Sequence, residues 1–172
     1  MPIPERVRVH APATLSNLGP GFDVLGLALN EPGDYVEAEW SDSPGVEIMA
    51  VRGDDGQLNC DPTCNVVGIA ATAMLAAYDA DGTASRPPGV RLWLEKQMPL
   101  ASGLGSSAAS SVGGALAVNE LLDGALDRDR LIVCALEGER AVSGGIHADN
   151  VVPCVTGGIV LTADGHRYEP GF

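Results

Sequence analysis

The chain reads as an α+β domain built in two layers. Three observations predict this. Apolar and polar residues alternate, with the period of a half-buried strand, at residues 6–11, 34–40 and 45–51. Apolar residues recur at helical spacing over 65–78 and again over 107–122. Strands therefore come first, followed by helix, strand, helix, helix and closing strands, which is not the regular alternation of a parallel α/β sheet. At 172 residues, of which 45% are hydrophobic, the chain is the size of one domain and can bury a core.

Each element has its own signal. "RVRVHA" at 6–11 is the first strand, and "DYVEAEW" at 34–40 and "GVEIMAV" at 45–51 are the next two. The glycine- and proline-rich segment 12–33 between them reads as a long irregular loop, in which "FDVLGLAL" could form a short strand or a helical turn. A loop of that length in a compact domain points to function. Polar "CDPT" precedes a helix over 65–78, with Val66, Ile69, Ala70, Ala73, Met74 and Ala77 on one face. "SRPPG" ends that segment, and "VRLWLEK" at 90–96 turns Val90, Leu92 and Leu94 inward as a strand. A helix over 107–122 places Val112, Ala115, Leu116, Asn119 and Leu122 at helical intervals, and another starts near Asp127–Asp129 and stops near "SGG" at 143–145. "GGIVLTAD" and "HRYEP" read as two closing strands.

Composition excludes several functions. Ten basic against 23 acidic residues give a formal charge of −13, which repels nucleic acid and anionic lipid. An anionic substrate would need backbone dipoles, a metal ion or a few placed cations, and Lys96 is the only lysine. No segment approaches 18 uninterrupted apolar residues and the start lacks a signal-like apolar core, so the expectation is a soluble cytoplasmic protein. The four cysteines read as mostly buried free thiols. "CDPTC" at 60–64 has no second pair at zinc-site spacing.

The stretch "MPLASGLGSSAASSVGGALAVNELL" at 98–122 admits several readings. Gly103-x-Gly105-x-x-Ala108 satisfies a dinucleotide fingerprint in letters. "KQMPLAS" intervenes between the strand and the glycines, however, where that fingerprint needs an immediate turn. A lysine-bearing P-loop is excluded because Gly-Lys occurs nowhere. What remains is a glycine-rich loop running into a helix N-terminus, whose unpaired N–H groups and dipole suit a phosphate chain. Ser106 and Ser107 could cap the helix or reach a phosphate-bound Mg²⁺. Small-residue packing stays open for Gly113 and Gly114, since each costs a helix about 1 kcal/mol unless close contact compensates.

"PLASGLGSSAA" at 99–109 resembles the phosphate loop of the GHMP kinase superfamily, P-x-x-x-G-L-G-S-S-A-A. "APATLSNLGPGFDVLGLAL" at 11–29 and "SGGIHADNVVPCVTGGIVL" at 143–161 resemble, within it, the homoserine kinases. The resemblance implies a mixed sheet packed with helices, of the ribosomal-protein-S5 domain-2-like type, with residues 1–172 as the family's N-terminal ATP-binding domain and its C-terminal domain absent from this chain. It implies ATP along Pro99, Leu100, Ala101, Ser102, Gly103, Leu104, Gly105, Ser106, Ser107, Ala108 and Ala109, with Asn65 near the adenine. Mg²⁺ would sit on Ser107 and Glu139. L-Homoserine, the small-molecule partner, would meet Asn17, Asp23, His147 and Asn150, the last two also bordering the reacting γ-phosphate as catalytic residues. The implied reaction phosphorylates the homoserine side-chain hydroxyl, a step of threonine biosynthesis.

On the residues alone, plainer readings stand beside these: Asn65 as a helix cap, Glu139 as a solvated carboxylate, Asn17 and Asp23 as turn residues and His147 as structural. Related kinases place an aspartate base near the position of Asn150, but an amide cannot take a proton; the hydroxyl proton would then leave late, to phosphate or water, with neighbouring Asp149 as the lesser alternative. The alternatives are a non-catalytic nucleotide-binding or interaction module descended from such a kinase, or a kinase for another small alcohol. An apolar face left where a second domain docks would promote self-association, for example as a homodimer.

Overall fold

The computed structural model describes residues 4–19, 21–82, 86–143, 145, 147–163 and 167–170; the side chains at 21–23, 143, 163 and 167–170 lie outside the description. The strands are β1 (Arg6–Leu18), β2 (Gly21–Ser41), β3 (Gly45–Arg52), β4 (Gly89–Glu95), β5 (Ile159–Ala163) and β6 (Arg167–Pro170). The helices are α1 (Val66–Ala80), α2 (Ser106–Leu121), α3 (Arg128–Ser143) and α4 (Ala148–Thr156). They form a mixed sheet in the order β3-β4-β2-β5-β6, with β1 also pairing β2. Only β3 and β4 run parallel among the described pairs.

The alternation seen in sequence sorts the two faces of the sheet. Val9, Ala11, Val36, Ala38, Val90, Leu92 and Leu94 turn into the core against the helices. The opposite face carries Arg6–Glu37, Arg8–Glu95 and Arg91–Glu47 ion pairs, with the Arg6 guanidinium 5.0 Å over Trp93 and that of Arg8 4.4 Å over Tyr35. Such exposed pairs contribute at most about 1 kcal/mol each. The stability of the sheet rests on its inner face.

Segment 12–33 is not an irregular loop. β1 continues to Leu18 and β2 starts at Gly21, with Thr14 opposite Ala28 and Leu18 opposite Gly21. The ladder slips between Pro12, which faces Gly33, and Thr14, and this irregularity absorbs Pro12 and Pro32. Gly26 is no strand breaker either. A Cβ there would sit 1.8 Å from the Asp149 carbonyl oxygen, so this glycine lets α4 lie against β2. β2 is long enough to pair β5 through Leu25–Leu27 and β4 through Tyr35–Ser41.

α4 has no counterpart in the periodicity reading. Pro153 lies inside it, a residue that costs a helix interior about 3 kcal/mol. Burial of Ala148, Val151, Val152 and Cys154 offsets that cost. Pro153 also removes the N–H that the Asp149 carbonyl would have accepted, and that carbonyl is the one packed on Gly26.

α2 is buried on nearly every side, between the sheet and the pair α1 and α3. Its glycines make this possible: a Cβ on Gly114 would lie 2.3 Å from the Val67 carbonyl oxygen of α1, and one on Gly113 would lie 2.6 Å from Val36 of β2. The small-residue packing reading therefore holds for these two positions. Of the four free thiols, Cys134 and Cys154 are buried as expected, but Cys60 and Cys64 are exposed because the segment before α1 is a surface turn. Among the described residues no helix is long and apolar enough to cross a membrane.

Candidate active site

The glycine-rich stretch ends in the left-handed region, with Gly103 at φ 75° and Gly105, the N-cap of α2, at φ 62°. The first helical bond runs from the Ala109 N–H to the Gly105 carbonyl, 2.9 Å. The N–H groups of Ser106, Ser107 and Ala108 thus have no acceptor inside the helix, and the positive end of its dipole faces the same way. Neither serine caps: α2 has no side-chain cap. The capping reading of Ser106 and Ser107 falls because Gly105 takes the cap position with no side chain to offer.

Ser107 instead donates to Glu139 Oε1 on α3. Glu139 is 3% exposed, so it is not the solvated carboxylate of the plainer reading. Burial pushes its carboxyl above the ordinary range, while the Ser107 hydroxyl and the charges of His147 and Lys96 pull the other way. Ser106 Oγ is buried and has no hydrogen-bond partner.

Behind the loop lies a cluster that sequence reasoning missed. The Lys96 ammonium donates to the Asp34 carboxylate, to the Ser106 carbonyl at 2.8 Å and to Ser110 Oγ at 2.8 Å. Asp34 also accepts the Gln97 N–H at 3.0 Å. Burial lowers the Lys96 pKa and the adjacent Asp34 charge opposes that shift. The cation thereby joins the end of β4 to the first turn of α2. Its one available signal was that the sole lysine stands three residues before Pro99.

Thr14 was also missed, because the sequence reading placed it in an irregular loop where the structure continues β1. It is 0% exposed, its N–H donates to the Leu104 carbonyl at 3.0 Å, and its hydroxyl donates to Asn150 Oδ1 at 2.9 Å. A Cβ on Gly105 would lie 2.0 Å from that hydroxyl oxygen. β1, the loop and α4 are thus held together at one point.

Two adjoining cavities open on this corner. The larger, about 340 Å³, is lined by Ser16, Asn17, Ala101, Ser102, Gly103, Gly105, Ser106, Ser107, Ala108, Glu139, His147 and Asn150. The smaller, about 130 Å³, is more apolar and has Leu58, Val66, Leu100 and Val142 beside Asn65 and Lys96, sharing Ala101, Ser106 and Ser107 with the first. Most of the predicted site residues therefore converge. Asn17, at φ 58°, donates to Ser16 Oγ at 3.1 Å, and His147 is exposed at the start of α4. Asn65 is the cap of α1, accepting from the Val67 N–H at 3.2 Å and donating to the Asn59 carbonyl at 2.7 Å, which fits its plainer reading and leaves it on a cavity wall.

Pro99 and Ala109 line neither cavity; Ala109 is on the buried side of α2, and Leu104 packs its side chain on the core. The side chain of Asp23 lies outside the described residues. Among the described residues no group of three or more His, Cys, Asp or Glu could hold a metal by itself. The corner offers backbone and hydroxyl donors towards an anion, a buried carboxylate beside a hydroxyl, and an apolar slot next to them.

The chain is 46% identical over 154 residues to a homoserine kinase of Pyrococcus abyssi, covering 88% of this chain and 47% of the relative. A crystal structure of homoserine kinase from Cytophaga hutchinsonii superposes with a TM-score of 0.88 at 42% identity, over 99% of this chain and 53% of the other. Mevalonate kinase of Methanococcus jannaschii, at 16% identity and a TM-score of 0.73 over 99% of this chain and 57% of the other, shares the fold. The chain spans about half the length of the curated relatives it matches. The model of the GHMP kinases N terminal domain matches residues 65–158, from the cap of α1 through α2 and α3 to the end of α4. The chain belongs to the GHMP kinases N terminal domain family.

Proposed function

We propose that the chain is the ATP-binding half of a homoserine kinase, transferring the γ-phosphoryl group of ATP to the side-chain hydroxyl of L-homoserine. The observation that carries this reading is the Ser107–Glu139 hydrogen bond at the mouth of the α2 N-terminus, on the same cavity as Asn17, His147 and Asn150. Its neighbours in sequence and structure are called homoserine kinases. Because the matched segment is about half of each relative, the reaction is assigned to the polypeptide that also carries the remaining half.

The phosphate chain lies against the N–H groups of Ser106, Ser107 and Ala108, and the base occupies the apolar slot beside Asn65 and Leu100. The Ser107 hydroxyl and Glu139 carboxylate are hard oxygen donors of the kind Mg²⁺ accepts in small number, its shell being completed by phosphate oxygens and water. They fit that ion. When bound, Mg²⁺ neutralises negative charge on the phosphate oxygens. Ser107 and Glu139 would hold it, and the loop amides orient the phosphates.

Asn17, His147 and Asn150 hold the alcohol, together with Asp23 in the first family motif. The bond from the alcohol oxygen to the γ-phosphorus forms as the bond from that phosphorus to the β–γ bridging oxygen breaks, and ADP departs. The hydroxyl proton leaves to a phosphate oxygen or to water, since Asn150 accepts none and a loose transition state asks little of a base. Rate comes from positioning and charge stabilisation.

Half-length coverage favours a narrower reading of the 172 residues alone, namely nucleotide binding without turnover. One experiment separates the readings. The full coding frame and the 172-residue chain are each given ATP, Mg²⁺ and either homoserine or mevalonate, and ADP release is followed. Homoserine-dependent ADP release by the full-length protein is expected. ADP release with mevalonate and none with homoserine overturns the substrate assignment.

A further inference from the structure

The Asn150 amide has one oxygen that can only accept and one nitrogen that can only donate, so its chemistry in the cavity depends on which end faces inward. Two contacts decide. The Thr14 hydroxyl, on a residue 0% exposed, donates to Asn150 Oδ1 at 2.9 Å. Turning the amide over would bring the nitrogen to Thr14 and leave the threonine proton without an acceptor in a place water does not reach. On the other side, Asn150 Nδ2 lies 3.5 Å from Asp149 Oδ1, a carboxylate oxygen that attracts the amide hydrogens and would repel the amide oxygen.

Gly105 completes the arrangement. A Cβ at that position would stand 2.0 Å from Thr14 Oγ1 and 2.9 Å from Asn150 Oδ1, so the bridge passes through the space the glycine leaves free. Thr14 also donates its N–H to the Leu104 carbonyl at 3.0 Å, so the residue that sets the amide is tied to the loop that meets the anion. Asn150 lines the cavity with Gly105, Ser106 and Ser107; its oxygen, on the Gly105 side, is taken up by Thr14, so the NH₂ group is the end of the amide left to donate to a ligand.

We propose that Thr14 is a positioning residue: by holding Asn150 Oδ1 it turns the Asn150 NH₂ group to the cavity as a donor to an oxygen of the terminal phosphoryl group. This role rests on the kinase reading for the identity of the anion, but the orientation of the amide stands on the contacts alone. Thr14 touches no reacting atom itself; it acts through Asn150. A donor placed there favours a nucleotide that carries a γ-phosphate over one that does not.

The test compares wild type, Thr14→Val and Thr14→Ser in the 172-residue chain. Valine keeps the shape and removes the hydroxyl, while serine keeps the hydroxyl. The Asn150 side-chain NH₂ resonances are followed by ¹⁵N–¹H spectroscopy, and ATP and ADP affinities are measured by calorimetry with Mg²⁺ present. In Thr14→Val the Asn150 pair shifts, and the preference for ATP over ADP falls about tenfold, the scale of one hydrogen bond to a charged group, with ADP affinity unchanged. Thr14→Ser restores both. A purely structural role for Thr14 would lower the affinities for ATP and ADP together. An Asn150 pair in Thr14→Val that matches wild type, or an unchanged ATP-to-ADP ratio, overturns the proposal. If wild type binds neither nucleotide, the kinase reading fails, and the Asn150 resonances still decide the case of Thr14.

Discussion

Gly105→Ala and Gly103→Ala differ by one methyl group from wild type at two left-handed positions, and the structure sets their costs apart. At φ 75° and with nothing within 4 Å of its Cβ position, Gly103→Ala incurs the backbone penalty alone, about 1–2 kcal/mol. Gly105→Ala incurs the same penalty at φ 62°, and its methyl group arrives 2.0 Å from Thr14 Oγ1 and 2.9 Å from Asn150 Oδ1. Thr14 sits in a paired strand with no exposure, so relief comes by breaking its bond to Asn150. A buried polar group left unpaired costs about 1–3 kcal/mol. The total for Gly105→Ala is then about 2–5 kcal/mol on the same scales. Urea unfolding at 25 °C, followed by circular dichroism, measures both against wild type. Gly105→Ala should lose at least about 1 kcal/mol more than Gly103→Ala. Equal losses would refute the claim that the Thr14–Asn150 bridge fills the space beside Gly105.

Lys96→Met strands the buried Asp34 carboxylate, and the same urea assay should show a loss of about 3–5 kcal/mol; a loss under about 1 kcal/mol would mean the pair is not buried as described. Gly114→Ala gains about 1 kcal/mol of helix propensity but drives a methyl group to 2.3 Å from the Val67 carbonyl, an overpacking cost of about 1–3 kcal/mol. A net loss is expected in thermal melts, and a raised midpoint would contradict the α1–α2 contact. Burial pushes the Cys134 thiol up to about 11 and that of Cys154 higher still, so at pH 8 both stay protonated, while Cys60 and Cys64 are exposed. Dithionitrobenzoate should titrate two thiols in the folded chain and four in denaturant; four rapid equivalents in the folded chain would sink that assignment.

Elements whose burial is one-sided or complete were legible in the sequence. β3 and β4 declare themselves by alternation, and α1 by the spacing of Val66, Ala70 and Met74 behind a polar cap. The outer parts of β1 and β2, at 6–11 and 34–40, were read as strands, but their continuation through 12–33 as a hairpin was not legible, because glycine and proline carry one letter for several physical uses. Gly26 makes room for α4, and Pro12 and Pro32 fall in a register slip, yet in the sequence all three resemble turn signals. α4 was hidden by Pro153, whose cost is met by burial that only the assembled sheet supplies.

The site divides along the same line. The loop and Ser107 stand next to one another in the chain and were visible, whereas their supports come from far away: Glu139 is 32 residues from Ser107, and Thr14 is 136 from Asn150. Asp34 and Lys96 belong to no quoted motif, and Thr14 lies inside the 11–29 motif with nothing to single it out. Their chemistry is to be buried and paired, which is a property of the fold.

The central claim is that the N-terminus of α2 binds a nucleotide whose metal rests on Ser107 and Glu139. Calorimetric titration of ATP into wild type and Ser107→Ala, each with and without Mg²⁺, tests it most directly. The account predicts that Ser107→Ala weakens ATP binding about tenfold when Mg²⁺ is present and leaves the Mg²⁺-free affinity unchanged. Identical wild-type and Ser107→Ala affinities in the presence of Mg²⁺ would contradict it.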